Sequence, residues 1–362
     1  MTPAKASLSL LRTDAVKTTA LALAATLGTL LGVASQATAA PFSFSTGDPD
    51  GKIGTLSRPA SIGKTQTETA DDFILAQTSV INQATFTGLL PSGASLSSIT
   101  DVEVEIYHIF PGDSDTNRTL TVPTRANSPG DVEIGSATRD SLAGGLSFSS
   151  AVVSSSFSVS NSVVNGINPA PGQQTFGEGP VTGQEVLITV TFNPPIALPA
   201  DHYFFRPEVQ LSSGDFLWLS APKPIVAPGT PFLPDLQSWI RNDGLAPDWL
   251  RIGTDITAQG PFNAAFSLSG ETDSDGDGIA DSLDQCPDTA AGSVVNANGC
   301  SLDQLAPCAG PASGGAWKNH GQYVSAVAHV SEEFLEQGLI SQADQDVIVA
   351  KAAQSNCGSK SR

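Results

Sequence analysis

Between Pro41 and about Gly270 the chain carries no long 3.6-residue apolar period. Instead it is made of short alternating runs broken by Pro- and Gly-rich punctuation. No helix built from such a stretch would have one continuous apolar face, so a helical bundle is excluded and an all-β domain remains, a β-sandwich or jelly roll. The clearest run is DVEVEIYHIFPGD. In an extended strand Val102, Val104, Ile106, His108 and Phe110 alternate onto one face, and Asp101, Glu103, Glu105 and Tyr107 onto the other, wet face. EVLITVTF (185–192), ATFTGLL near Ala84, HYFFRPEVQL, DFLWLSA and NAAFSLSG add further strands. GQQTFGEGPVTG and PKPIVAPGTPFLPD are loops by composition.

The first residues differ. Lys5, Arg12 and Lys17 precede an apolar run, Thr18–Ala34, and ASQATAA then supplies the small residues of a cleavage site. This predicts a signal peptide over 1–39, cut after Ala37-Thr38-Ala39, and a secreted chain. Removing it takes the formal charge from −19 to −21. Such acidity argues against nucleic acid or an anionic membrane surface as partner. The apolar run is short for a membrane span and is interrupted by Thr and Gly. The four cysteines all fall late, at Cys286, Cys300, Cys308 and Cys357. An exported chain meets an oxidising compartment, so two disulfides are expected. Three connectivities are possible, and sequence-local pairing, Cys286–Cys300 with Cys308–Cys357, is preferred.

At Glu271 the character changes. Seven carboxylates fall between Glu271 and Asp288 with no Lys or Arg among them. Like charges so close raise one another's pKa unless a cation sits between them. Numbering Asp273 as position 1 puts Asp275 at 3, Asp277 at 5, Gly278 at 6, Ile279 at 7, Asp281 at 9 and Asp284 at 12. That is the oxygen-ligand spacing of an EF-hand-type calcium loop, with the Ile279 backbone carbonyl as a ligand and Asp where an EF-hand has Glu at position 12. The competing reading is a disordered acidic linker. STGDPDGKIGTL, with Asp48, Asp50 and Gly51, is read as a plain turn rather than half a calcium loop.

With its continuation, DSDGDGIADSLDQCPDTAAGSVVNANGC resembles the thrombospondin type 3 repeat, which reads D-x-D-x-D-G-x-x-D-x-x-D-x-C-P and then a second Cys after an Asn/Asp-Gly turn. The resemblance covers Asp273–Cys300 and implies calcium binding and a local disulfide. It also implies, less directly, a structural or adhesive extracellular role. Repeats of this family usually occur in tandem; this chain has one copy. Dockerins use a similar loop in duplicate, and the duplicate is missing here.

Beyond APCAGPASGGA the chain is helical by pattern. Tyr323, Val327, Val330 and Phe334 form one apolar stripe, Gly338 suits a helix C-terminus, and Ser341 with Asp344 resembles a capping box. A hairpin this small buries too little core to stand alone, so a Cys308–Cys357 staple makes sense.

Catalytic patterns are sparse. Glu103 and Glu105 lie about 7 Å apart on one strand face, a separation that glycosidase carboxylates could have, but acids on a wet face are commoner. Glu68, Asp71 and Asp72 are equally ambiguous. His108, His202, His320 and His329 are scattered, and no G-x-S-x-G, H-E-x-x-H or phosphate loop occurs. Binding is the better expectation: Trp239 and Trp249, in Pro/Gly-rich sequence, are candidates to stack on sugar rings, whereas Trp218 reads as core. TADDF, LPADHYFF, FLWLSAPKP and FNAAFSLSG are similar to phrases in a group of uncharacterised exported bacterial β-sandwich proteins, a resemblance that implies export and fold and no activity.

The expected organisation is a signal peptide (1–39), a β-sandwich (40–270), a calcium-binding element (271–305) and a disulfide-stapled helical hairpin (306–362). The expected function is that of a secreted, non-enzymatic calcium-binding protein with a structural or adhesive role, touching a polysaccharide or a cell-surface or matrix component. The alternative is a carbohydrate-binding module or polysaccharide-active enzyme.

Overall fold

The computed structural model describes residues 41–118, 122–167 and 174–359. The expected signal peptide lies outside them. Two sheets make the β-domain, as the alternating runs predict. In the larger, β4 (Ser79–Pro91) is central. On one side it pairs with β15 (Phe266–Thr272) and then with β11 (Leu217–Ala221); on the other it pairs with β9 (Val181–Leu198), which carries β7 (Leu146–Val159). β1 (Pro41–Ser45) lies outside β15, and β2 (Ile53–Leu56), β8 (Asn161–Val163) and β14 (Asn263–Ala264) lie around β11. The smaller sheet runs β13 (Leu250–Arg251), β12 (Trp239–Asn242), β3 (Thr67–Ile74), β10 (His202–Leu211), β5 (Ile99–His108) and β6 (Arg139–Asp140).

The main core lies between the sheets. Phe86, Ile188, Val190, Trp218 and Phe266 from the larger sheet meet Phe73, Val102, Val104, Ile106 and Phe205 from the smaller. Phe205 and Phe266 stack at 5.0 Å, and the Trp218 indole N–H reaches the Ala265 carbonyl at 2.9 Å. The expectation for Trp218 agrees with its complete burial.

The other face of β5 corrects one expectation. Glu105 and Tyr107 are 7% and 1% exposed, not wet. Segments around Gly130 and Trp249 cover this face. Trp249 packs edge-on against Tyr107 at 5.6 Å and bonds to the Gly130 carbonyl at 3.1 Å. Buried charges beneath them are paired, as burial demands. Arg206 meets Glu105, Glu68 (3.0 Å) and Glu208 (2.7 Å). Arg241 meets Glu68 and the Tyr107 hydroxyl (3.0 Å) and lies 4.3 Å over the Trp249 ring. Glu208 stands opposite Glu103, and Glu103 opposite Asp140. Acids outnumber bases along that row.

The tail is helical as the pattern predicts: α1 (Leu302–Leu305), α2 (His320–Glu336) and α3 (Gln342–Gln354). Tyr323, Val327 and Val330 pack on Ala306, Ile348 and Ala352. Phe334 is buried, Gly338 takes φ +72°, and Ser341 with Asp344 forms the capping box. Cysteines pair as Cys286–Cys300 and Cys308–Cys357. The second bridge closes a loop of 49 residues. Opening it by Cys308→Ser with Cys357→Ser should weaken the hairpin by about 2–4 kcal/mol, because the unfolded loop regains its freedom. Amide exchange in α2 and α3 should accelerate while exchange in β4 and β10 stays slow.

Candidate metal centre

The acidic loop starts where β15 stops. The Asp273 amide extends the edge of the ladder by bonding to the Thr78 carbonyl at 3.1 Å, so no flexible joint separates loop from sheet. The chain then wraps around the Asp273 carboxylate. Gly276 donates its N–H to Oδ1 at 2.8 Å, and Gly278 donates to Oδ2 at 2.9 Å. Both glycines need left-handed backbone, with φ +77° and +94°, which side-chain-bearing residues rarely adopt. Asp275 accepts from Thr289 N–H at 2.7 Å, and Asp277 accepts from Ile279 N–H at 2.8 Å. Each turn therefore aims a carboxylate inward. The result is that one ligand oxygen each from Asp273, Asp275 and Asp277 lie within 4.8 Å of one another. This group could hold a metal ion.

Three features suit a hard cation here. Every donor atom in the group is oxygen. Asp273 is 1% exposed, which is costly for an uncompensated carboxylate. Asp277 Oδ2 is buried and has no hydrogen-bond partner. Burial, followed by repulsion from Asp275, Asp284 and Asp273, pushes the Asp277 carboxyl up to about 6 despite the Ile279 amide. Asp273 is also raised, chiefly by burial, and so is Asp284, by burial and then by Asp275, Asp281 and Asp288. A cation would reverse the sign of those repulsions.

Asp284 approaches from the disulfide side. Its Oδ1 accepts from Cys286 N–H at 2.7 Å, while Gln285 N–H bonds to the Asn298 carbonyl at 2.8 Å. Gly299 presses against this oxygen. A Cβ there would lie 2.1 Å from Asp284 Oδ1 and 3.1 Å from Asp277 Oδ2, at φ +75°. Asp284 and Asp277 thus converge on one glycine, and the Cys286–Cys300 bridge holds that glycine in place. Gly299→Ala should displace both carboxylates and weaken divalent-cation binding at least about tenfold, equivalent to about 1.4 kcal/mol. Isothermal titration of the variant beside the parent chain checks this.

Asp281 departs from expectation. Its carboxylate turns back to the mouth of the loop, where Oδ1 accepts from Ser274 N–H at 2.7 Å. Its Oδ2 accepts from Ser274 Oγ at 2.9 Å and Thr272 Oγ1 at 2.6 Å. Burial opposes its ionisation, but these bonds outweigh burial and hold its pKa below the usual value. Asp281 closes the base of the loop and is not brought into the inward-facing group. Ile279 lies in the loop as numbered, its amide engaged with Asp277.

The aromatic candidates need correction. Trp239 lies on β12 and Trp249 just before β13; they are 1% and 0% exposed and share a cluster with Ala70, Tyr107 and Phe204. Pro/Gly-rich surroundings suggested an exposed loop. Instead Trp239 sits in a strand of the smaller sheet paired to β3, and Trp249 lies against Tyr107 and under the Arg241 guanidinium. Neither ring offers a free face to a sugar. Glu103 and Glu105 belong to the same charge network. Asp71 and Asp72 are buried ties: Asp71 accepts from Ala264 N–H (2.7 Å) and Asp72 from Leu236 N–H and the His202 ring. Asp50, in DPDG, accepts the Lys52 amide at 3.0 Å with Gly51 at φ +71°, as a plain turn does.

Two residues of the centre gave no signal in sequence. Thr78 anchors the loop from a turn far upstream. Thr289 orders Asp275 with its amide and places its hydroxyl 2.8–2.9 Å from the Cys286 and Gly299 carbonyls and Gln304 Oε1. No family model, curated protein or solved structure matches the chain.

Proposed function

We propose that this is an exported protein in which calcium, held by Asp273, Asp275, Asp277 and Asp284, fixes the helical hairpin to the β-sandwich. Its role is structural or adhesive at a cell surface or matrix. The observation that carries this reading is the convergence of one oxygen each from Asp273, Asp275 and Asp277, beside a buried Oδ2 of Asp277 that has no hydrogen-bond partner. Calcium is the favoured ion because the group is all oxygen and the order of acids and glycines follows a calcium loop. Resemblance of Asp273–Cys300 to the thrombospondin type 3 repeat supports the same choice.

The element has the connections of a spacer. Its start is bound to Thr78 on the sandwich, and its end passes through Cys300 into the capping box of α1 at Ser301 and Gln304. Leu302 of α1 packs with the α2–α3 core. An ion would convert a self-repelling strand into a stiff connection between the two. Two disulfides suit an oxidising compartment, and no helix among the described residues is long and apolar enough to cross a membrane. Extracellular calcium is abundant, so a dissociation constant of about 10⁻⁴–10⁻³ M is sufficient. Calorimetric titration of the oxidised protein with calcium is the test. Saturable heat near one ion per chain supports the reading, and absence of heat across that range rejects it. The carbohydrate-binding alternative drew on Trp239 and Trp249, and their burial removes its main support.

A further inference from the structure

Away from the acidic loop, one cluster pairs a nucleophile with an acyl group. Lys223 follows β11, and Asn263 lies opposite Ala221 in the antiparallel pair of β11 and β14. Lys223 lies two residues past Ala221, where the chain bends out of the strand. Asp235 stands between them. Its Oδ1 lies 2.8 Å from Lys223 Nζ, and its Oδ2 accepts from Asn263 Nδ2 at 3.3 Å. One carboxylate therefore holds the amine on one oxygen and the amide on the other.

The amide side of the cluster is buried. Asn263 is 1% exposed, and its Oδ1 is buried without a hydrogen-bond partner. The side chains of Lys223 and Asp235 are 18% and 11% exposed. The buried Asp71 and Asp72 brace both sides of the cluster: Asp71 holds the amide after Asn263, and Asp72 holds the amide after Asp235. Asp235 also borders a cavity of about 520 Å³ walled by Pro224, Ile225, Pro231, Phe232 and Leu233. The cavity gives a small leaving group a way out.

We propose that Lys223 and Asn263 join through an intramolecular isopeptide bond, with Asp235 as the proton carrier. Asp235 takes a proton from the Lys223 ammonium, and the free amine attacks Asn263 Cγ. The new C–N bond forms as the Cγ–Nδ2 bond breaks, a second Nζ proton passes through Asp235 to Nδ2, and ammonia leaves. Amine and primary amide become secondary amide and ammonia, with no oxidation or reduction. Proximity carries the reaction: Asp235 holds the amine beside one oxygen and the amide beside the other, and a bimolecular step becomes unimolecular. The bond would tie the 222–235 loop covalently to β14.

Mass spectrometry of the purified full chain, reduced and denatured, is the test. The expected mass is one ammonia (about 17 Da) below the value for the chain with free side chains, and digestion should yield one branched peptide joining Lys223 to Asn263. Asp235→Ala and Asn263→Ala should each restore the full mass. Recovery of Lys223 and Asn263 in separate peptides from the parent chain overturns the proposal, as does an ammonia loss mapped elsewhere, for example to Asn298-Gly299. The parent chain alone decides the matter if the variants fail to fold.

Discussion

Arg206→Met should destabilise the β-domain by about 3–5 kcal/mol at pH 8, the usual result of leaving buried charges without their partner, and by markedly less at pH 5. Arg206 is 1% exposed and is the shared cation of Glu68, Glu105 and Glu208. Even with it in place, Glu208 is pushed up to about 8 by burial, with Glu68 and Glu103 adding repulsion that Arg206 offsets only in part. Glu103 is pushed up to about 7, mainly by burial and then by Glu105 and Asp140 against the pull of Arg206.

The sign of the pH effect follows from those directions. In the unfolded chain both carboxyls release their protons near the ordinary value of about 4.3, whereas the folded chain keeps them to higher pH. Between about 4.5 and 8 the native state binds more protons than the unfolded state, so its stability falls as pH rises. A tenfold difference in proton affinity between the folded and unfolded states is worth about 1.4 kcal/mol, so Glu208 alone makes the parent domain weaker at pH 8.5 than at pH 5 by on the order of a few kcal/mol. Glu103 adds less, because solvent still reaches it. Removing Arg206 steepens the slope, since protonation becomes the main remaining way to neutralise the group. Urea unfolding of both chains at pH 5 and 8.5 measures this. Equal losses at both pH values would mean that Arg206 acts by packing alone.

The second large effect concerns the metal centre. In millimolar calcium the segment around Gly276 should resist protease, and excess EGTA should open it. Asp273→Asn with Asp277→Asn should cut calcium affinity by at least about a hundredfold, or 2.7 kcal/mol, and should leave cleavage near Gly276 the same with and without EGTA. Asn keeps the shape and the turn-forming amide contacts, so loss of the ion is separated from loss of the turn. A parent chain whose cleavage ignores EGTA would make the segment a linker and not a spacer. The β-domain provides an internal control, because Phe205, Trp218 and Phe266 lie in a core remote from the loop.

What sequence could reveal here followed from periodicity and spacing. HYFFRPEVQL maps onto β10, and the Tyr323–Phe334 stripe and the Ser341 cap map onto α2 and α3, because each is a local pattern with a local cause. The inward-facing aspartates were legible for the same reason: their order in the chain sets their order in the turn. Asp281 was not, since the choice between facing inward and closing the loop depends on the Thr272 and Ser274 hydroxyls beside it. Trp239 and Trp249 misled because composition describes a segment and not what lies beneath it. Alternation in β5 likewise distinguished two faces but could not show that both would be covered. Nor could the Lys223–Asp235–Asn263 cluster be read from sequence, since its members come from a long loop and a strand that only the fold brings together.

The pairing of β1 with β15 also governs when this sheet can assemble. Pro41–Ser45 has no other neighbour among the described strands, and its partner ends more than 220 residues later, at Thr272. β15 also supplies one flank of β4. A chain emerging N-terminus first therefore carries an open sheet and an unpaired first strand until nearly three-quarters of it is available. Closing so distant a contact is slow, because the entropy of the intervening loop is lost before any pairing is gained. The acidic loop emerges immediately afterwards, next to the strand that completes the sheet. Sheet closure and formation of the acidic loop thus fall at the same moment of folding, and Asp273, bonded to Thr78 only once β15 is seated, links them.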